Sequence, residues 1–532
     1  MARVAGPFLT VRGAKAQTSE NAAVTAGGAA RPPGAGAPRL VLSGGPFHLC
    51  PTQERAREAL EPMICPSVGR VGRTCALAAT LLVMSRPLTA QDTMATAGPA
   101  RDSIVHAGQH ENSTDWSAWI LGTQINVIAQ HLAPFESNPY SGPNSLVAGG
   151  DSKVSSAFGV YLGARVVAGA QVYLDLEMIR GGGISGVTGL GGITNGDVLR
   201  QGSVDLGQGP YVARAFLRYA IPIGHGPVDT LAPSPDQIPM LVRSSRIEIT
   251  VGRLALNDLM DVNRYATSTR LEFQNWGLWQ NTAWDFAADT RGYSNGIALA
   301  LIQPRWAFRA ATFQMPEFAN GNVYDGDVRQ DRGDEAELTL VPGRRGTVIR
   351  LLGYVNHARM GDYEEALRKA EATGTTPDIV ADDQPGRSKS GFGVNLEQPL
   401  ADGGETGVFA RYGWNDGKTE SFAFTEVDHH TSLGLQLSGA HWRRVMDQVG
   451  LGLVRHGLST PHRNYLEAGG SGFLLGDGRL NYRPEQIVEL YYRLQVGPFL
   501  QLSPDFQHAW NPGYNRDRGP ATVYAFRVNF RY

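Results

Sequence analysis

Past Cys75 this chain of 532 residues contains no cysteine, and only Cys50 and Cys65 precede that point. Cleavage after about Ala90 would leave no thiol, which excludes disulfides and cysteine-ligated metal sites in the product. No small-residue lipobox precedes any of the three cysteines, so a lipid anchor is not expected. A long hydrophobic run is also missing. The longest, Cys75 to Met84, is interrupted by Thr80 and falls well short of the roughly 18 residues that a membrane helix needs. Basic excess is absent too, with 48 Lys and Arg against 50 Asp and Glu. Removing residues 1–90, which hold ten Lys and Arg and four Asp and Glu, moves the net charge from -2 to -8. A nucleic-acid partner is not expected on that balance.

The short apolar run has a use of its own. Arg70 and Arg73 precede it, and Leu88, Thr89 and Ala90 follow a proline, so residues 63–90 read as a signal peptide. Upstream lies a stretch, AGGAARPPGAGAPRL among it, with no hydrophobic period. Residues 1–62 are therefore expected to be an extension ahead of a true start at Met63, with a genuine disordered segment as the alternative. Residues 91–115 read as a mobile N-terminal tail. The remainder, 116–532, reads as one domain without internal repeats.

What that domain does have is glycine, 65 in the whole chain, and apolar residues alternating with polar ones. Period two means strands. In WILGTQINVIAQ, Trp119, Leu121, Ile125 and Val127 share one face while Gln124, Asn126 and Gln130 share the other. AQVYLDLEMI sets Val172, Leu174, Leu176 and Met178 against Tyr173, Asp175 and Glu177. RIEITVG and LGLQLSG repeat the division, with Ile247, Ile249 and Val251 opposing Arg246, Glu248 and Thr250, and Leu433, Leu435 and Leu437 opposing Gln436 and Ser438. A soluble sandwich alternates as well, so alternation alone does not choose.

The final strand chooses. In ATVYAFRVNFRY, Tyr524, Phe526, Val528, Phe530 and Tyr532 occupy one face and Arg527, Asn529 and Arg531 the other. Such a strand suits an outer-membrane barrel that closes its last strand on its first, leaving no unpaired edge in lipid. At roughly 25 residues per strand and its share of loop, the domain predicts an all-β fold, a transmembrane antiparallel barrel of about 16 strands. DYEEALRKAEATG, with Glu364, Glu365 and Lys369 suitably spaced, reads as a short helix in an extracellular loop or equally as a solvated charged loop.

Four segments carry a resemblance: PFESNPYSGPNSL (Pro134 to Leu146), NWGLWQNTAWDFAADTRGY (Asn275 to Tyr293), AGGSGFLLGDGRLNYRPEQIVELYYRL (Ala468 to Leu494) and NPGYNRDRGP (Asn511 to Pro520). Together they resemble the carbohydrate-selective porin family, often called the OprB family, in register from about Trp119 to Tyr532. The resemblance implies a sugar-conducting outer-membrane barrel of a Gram-negative bacterium. One departure follows Glu177, where this chain has Met178, Ile179, Arg180 and three glycines, setting an extra cation near an expected pore-lining position.

A neutral solute dense in hydroxyls needs paired donors and acceptors plus flat apolar faces. YVARAFLRYA offers Arg214, Phe216 and Arg218 at spacing two, and Asp175 and Glu177 would orient their guanidiniums. The same residues could equally be wall salt bridges. NRYATSTRLEFQNWGLWQ lacks clean alternation and suits a loop folded inward to constrict the lumen, with Asn263, Arg264, Arg270, Asn275 and Trp276 as candidates. For the tryptophans, a membrane-interface girdle using Trp276 and Trp279 is the favoured reading.

Enzyme chemistry finds little support. His429 and His430 adjoin Asp428, but neighbouring strand residues point oppositely and do not converge on a metal. GDGRL lacks the spacing of a phosphate loop. No cofactor is expected. The expected partners are small neutral sugars, outer-membrane lipid and the barrel-assembly machinery, in a monomer or homotrimer. The rival readings are a general porin without sugar preference, an outer-membrane barrel enzyme such as a lipase, and a blocked structural barrel or adhesin.

Overall fold

The structure, a computed structural model, describes residues 118–138, 140–198, 206–324, 326–423 and 425–532. The leader and tail readings above lie outside these residues. Strands are laid down wherever period-two alternation runs long enough. The first six are β1 (Trp119–Leu132), β2 (Asp151–Val167), β3 (Ala170–Gly181), β4 (Tyr211–Pro222), β5 (Val228–Leu231) and β6 (Met240–Arg243). The next six are β7 (Arg246–Leu254), β8 (Ser294–Gln303), β9 (Trp306–Gln314), β10 (Arg332–Leu340), β11 (Val348–Met360) and β12 (Gln384–Ala401). The last are β13 (Thr406–Asn415), β14 (His429–Ser438), β15 (Gln448–Gly457), β16 (Glu485–Val496), β17 (Leu500–Trp510) and β18 (Ala521–Arg531).

Sixteen of them form one closed antiparallel barrel, each pairing with its chain neighbour, while β5 and β6 pair only with each other. Closure runs from Gln124↔Arg531 to Leu132↔Val523, and Thr123 and Tyr532 exchange backbone hydrogen bonds of 2.9 Å in both directions. The aromatic end of the chain is thus the rim of the seam. In hydrocarbon this matters because an unpaired amide costs several kcal/mol.

Connections are short at one end, such as 168–169, 304–305 and 497–499, and long at the other, such as 133–150 and 458–484. In barrels of this kind the short turns face the periplasm. The charged segment at 363–373 is a helix in the long connection after β11, α2 in chain order (Tyr363–Thr373) after the one-turn α1 (Trp276–Trp279). Asp362 caps α2 by accepting from Glu365 N at 2.9 Å, and Gly374 ends it in the left-handed region. A third helix, α3 (Thr460–Glu467), lies in the long connection after β15.

The inside and outside faces fall as the alternation requires. Leu121, Ile125, Val172, Leu174, Leu176, Ile247, Val251, Leu433 and Phe526 are exposed, whereas Gln124, Asn126, Gln130, Asp175, Glu177, Thr250, Gln436 and Arg527 are buried in the lumen. Aromatic residues gather at the rims: Phe499 lies 5.4 Å from Tyr532 at the short-turn end, and Trp510 meets His508 at 4.6 Å at the other.

Arg at Leu433, which is 52% exposed on the outer face of β14, is expected to cost roughly 2–4 kcal/mol of barrel stability. Reversible unfolding from lipid vesicles measures this, and a loss under about 0.5 kcal/mol would place Leu433 away from the bilayer midplane.

Candidate functional site

The connection from β7 to β8, residues 255–293, does not cover the barrel from outside. It descends through the lumen. Tyr265 donates its hydroxyl to Gly404 O at 2.9 Å and Arg264 pairs with Glu405 at 3.1 Å, both on the short turn after β12. A loop buried this deep must satisfy every backbone polar group without bulk water. The barrel wall does so with charges. Glu337 accepts from Asp261 N (2.7 Å), Glu397 from Arg264 N (2.8 Å), and Glu489 from Gln274 N and Asn275 N (2.5 and 2.9 Å). Arg411 donates to the carbonyls of Leu278, Asp261 and Ala266, and Arg527 to those of Thr269 and Glu272. Most of these anchors stand on β10 to β18, so the loop fills that side and the open path is eccentric.

Between the loop and the wall of β1 to β4 lies a cavity of about 220 Å³. Its centre is built on two arginines. Arg270, from the inward loop, donates to Glu177 (2.8 Å), Asp197 (2.9 Å) and Tyr161 (2.9 Å). Arg214, from β4, makes a two-point pair with Asp258 (2.7 and 2.9 Å), contacts Asp175 at 3.3 Å and lies 3.7 Å from Asp236. Tyr293 donates to the second oxygen of Glu177 at 2.7 Å. Arg291 and Arg531 join Arg214 and Arg270 in the lining, making four guanidiniums. Glu177, Asp197, Asp236 and Asp258 supply four carboxylates, so the lining is charge-balanced. Trp276 and Trp279, with ring centroids 4.6 Å apart, add an apolar face.

Local chain geometry aims these groups. A β-bulge in β4 opposite Asp175 and Leu176 lets both Tyr211 and Arg214, three residues apart, face the lumen where a regular strand would send one outward. Gly196 permits close approach in the inward connection after β3, since a Cβ there would sit 2.7 Å from Trp279 Nε1.

Among the residues expected from sequence, the structure brings Asp175, Glu177, Arg214, Arg270 and Trp276 to this cavity or its arginines. Others lie elsewhere. Asn263 is buried against Asn395 and Leu396, Arg264 is held at the periplasmic turn, and Asn275 bonds Gln507 and Gly192, because these polar groups anchor the loop to the wall. Phe216 stacks on Tyr173 at 4.8 Å, and Arg218 covers both rings in a smaller space beside the main cavity. Two expectations are corrected. Trp276 and Trp279 are 7% exposed inside the barrel, not in a girdle, since the one-turn helix that carries them packs on β14 and β15. Arg180 is exposed and bonds Gln208 O, because alternation from Glu177 places it outside.

Several lining residues were missed: Asp197, Asp236 and Asp258 sit in connections where no periodicity marks direction. One signal was available for Asp236. It lies in the connection from Ile223 to Ser245, at the end of the barrel where the other connections are short.

A closed 16-stranded barrel with lipid outside, a polar lumen and an inward loop narrowing it to a charged eyelet is an outer-membrane porin, a channel rather than an enzyme. The family model described as carbohydrate-selective porin, OprB family, matches residues 178–532, and the chain belongs to that family. It is a sugar porin of the Gram-negative outer membrane. Among solved structures, the high-pH form of Pseudomonas putida OprB is similar at 16% identity and a TM-score of 0.58, over 78% of this chain and 94% of that one. The low-pH form aligns at 13% identity with a TM-score of 0.39, over 78% and 93%. The Acinetobacter baumannii channel DcaP aligns at 8% identity with a TM-score of 0.41, over 79% and 99%. Curated protein sequences give no match.

Glu489→Ala removes the side chain that accepts from two loop amides, each bond being worth about 0.5–1.5 kcal/mol. Single-channel recording is expected to show higher conductance and noisier open states. Wild-type conductance and noise would mean that other anchors hold the loop alone.

Proposed function

We propose that Arg214, Arg270 and Glu177, with Trp276 and Trp279, form the sugar-selecting eyelet of this porin. The observation that carries the reading is the balance of four guanidiniums against four carboxylates in one cavity beside a tryptophan pair. Balanced charge gives an ion little net attraction to offset its lost hydration, while each group can still bond a hydroxyl. A pyranose offers what such a wall lacks, donors for carboxylates, acceptors for guanidiniums and a C–H face for an aromatic ring. The arginines are already engaged by their carboxylates, so a sugar competes for bonds and is held weakly. Weak holding is what flux requires, because a tight site slows release as much as it aids capture.

The same reading takes residues 63–90 as the cleaved export signal and the barrel-assembly machinery as the partner that inserts the last strand. The second reading is a general porin whose eyelet only filters by size; the network around Arg270 and Glu177 favours selection, because a size filter needs no such pairing.

Lys in place of both Arg214 and Arg270 keeps the charge but loses the planar fork. In planar bilayers the double variant is expected to keep its ion selectivity while glucose block of the current weakens about ten-fold, roughly 1.4 kcal/mol. Unchanged block would move selection away from these residues. In swelling assays with the wild type, equal permeation of glucose and an amino acid of similar size would favour the size filter.

A further inference from the structure

A further inward segment comes from the periplasmic side. Between β4 and β7 the chain makes the hairpin β5–β6, and the tip of that hairpin, 232–239, turns back into the lumen. Ser234, Pro235 and Asp236 line the eyelet cavity. Asp236 reaches 3.7 Å from Arg214, so one guanidinium gathers carboxylates from the wall (Asp175), the loop from above (Asp258) and the segment from below.

The insertion is built. Arg218 donates to Asp236 O at 3.1 Å and to Gln237 Oε1 at 3.0 Å, and Tyr173 accepts from Ile238 N at 3.1 Å. Ile238 is fully buried. Ser234 and Gln237 exchange backbone hydrogen bonds of 3.1 Å, closing the tip as a tight turn. Pro233, Pro235 and Pro239 fix φ within it and lower the entropy lost on ordering. The stem is tied at Asp229, which accepts from Ser244 Oγ at 2.7 Å and lies 3.7 Å from Arg246.

We propose that this segment is the floor of the sugar path and that Asp236 is a specificity-determining residue at its exit. The inference rests on the eyelet reading for what passes, and concerns a different element of the chain. Asp236 supplies one of the four carboxylates of the balanced lining. Without it the site around Arg214 is less negative, which admits anions and sugar acids more readily than the wild-type lining does.

Two variants of the full chain test this in planar bilayers, with the heat-modifiable gel shift reporting folding. In a Cys50→Ser, Cys65→Ser, Cys75→Ser background, Ser234→Cys treated with sulfonatoethyl methanethiosulfonate is expected to lose about half of its current or more, since the adduct fills the path. Thr230→Cys, exposed on the stem, is expected to react without current loss. Modification of Ser234→Cys, verified by mass, with no change in current would overturn the floor. Asp236→Asn is expected to lower the potassium-to-chloride permeability ratio at least about two-fold and to raise gluconate permeation relative to glucose. A wild-type reversal potential and a wild-type gluconate-to-glucose ratio would overturn the role of Asp236. If Asp236→Asn fails to assemble, Ser234→Cys leaves the ion pairs intact and still decides whether the segment is the floor. The ion-current readouts do not involve sugar, so absence of glucose block in the wild type would defeat the eyelet reading and leave these results standing.

Discussion

Backbone amides taken out of water must find partners within the chain, and two arrangements in this porin follow from that constraint. In the wall, the constraint is met by closure, with β18 returning to β1 so that no edge faces lipid. In the lumen, it is met by wall carboxylates and guanidiniums that bond the backbone of residues 255–293. The second arrangement explains why so many charges sit buried on β10 to β18. They are not a conduction path but a set of anchors, each a side chain satisfying main chain. A loop held by charge-assisted bonds from many strands has one position, and a constriction with one position can discriminate between solutes.

The same constraint explains what could be read in the sequence. Strand faces were legible because period two is imposed by lipid on one side and polar lumen on the other, and Leu433 against Gln436 or Phe526 against Arg527 needed no further information. The eyelet was half legible. Asp175, Glu177 and Arg214 lie on strands, where parity gives direction, and Arg270 was found through the broken alternation of its loop. Asn263, Arg264 and Asn275 belong to that loop yet bond the wall, because within an irregular segment residue type does not say which way a side chain turns. Parity also misleads where a strand is irregular: the bulge that turns both Tyr211 and Arg214 inward has no period to announce it.

Balance of charge at the eyelet is an outcome of three chain elements meeting. Arg214 touches Asp175 from the wall, Asp258 from the loop that descends and Asp236 from the hairpin that rises. A cation placed first on the wall would repel cations and draw anions to a site proposed here to pass neutral sugars. Each carboxylate brought to it removes that bias and leaves hydrogen-bonding capacity. On the proposed reading, selection for a neutral solute requires neither a tight pocket nor any moving part, only that opposite charges be brought near enough to cancel at a distance while remaining open to hydroxyls close at hand.

Placing the path to one side of the lumen has a further physical consequence. A central channel in a barrel of this size would be lined by wall on every side and too wide for contacts with a small solute. Filling the β10 to β18 side with the descending loop leaves a path with strand residues on one flank and loop residues on the other. The strand flank, with Glu177 and Arg214, is fixed by the ladder, while the loop flank, with Arg270 and the tryptophan pair, is fixed only by its anchors. Pore width is therefore set by the bonds that hold the loop rather than by the number of strands, so a change in solute preference can arise at a buried anchor that no solute touches.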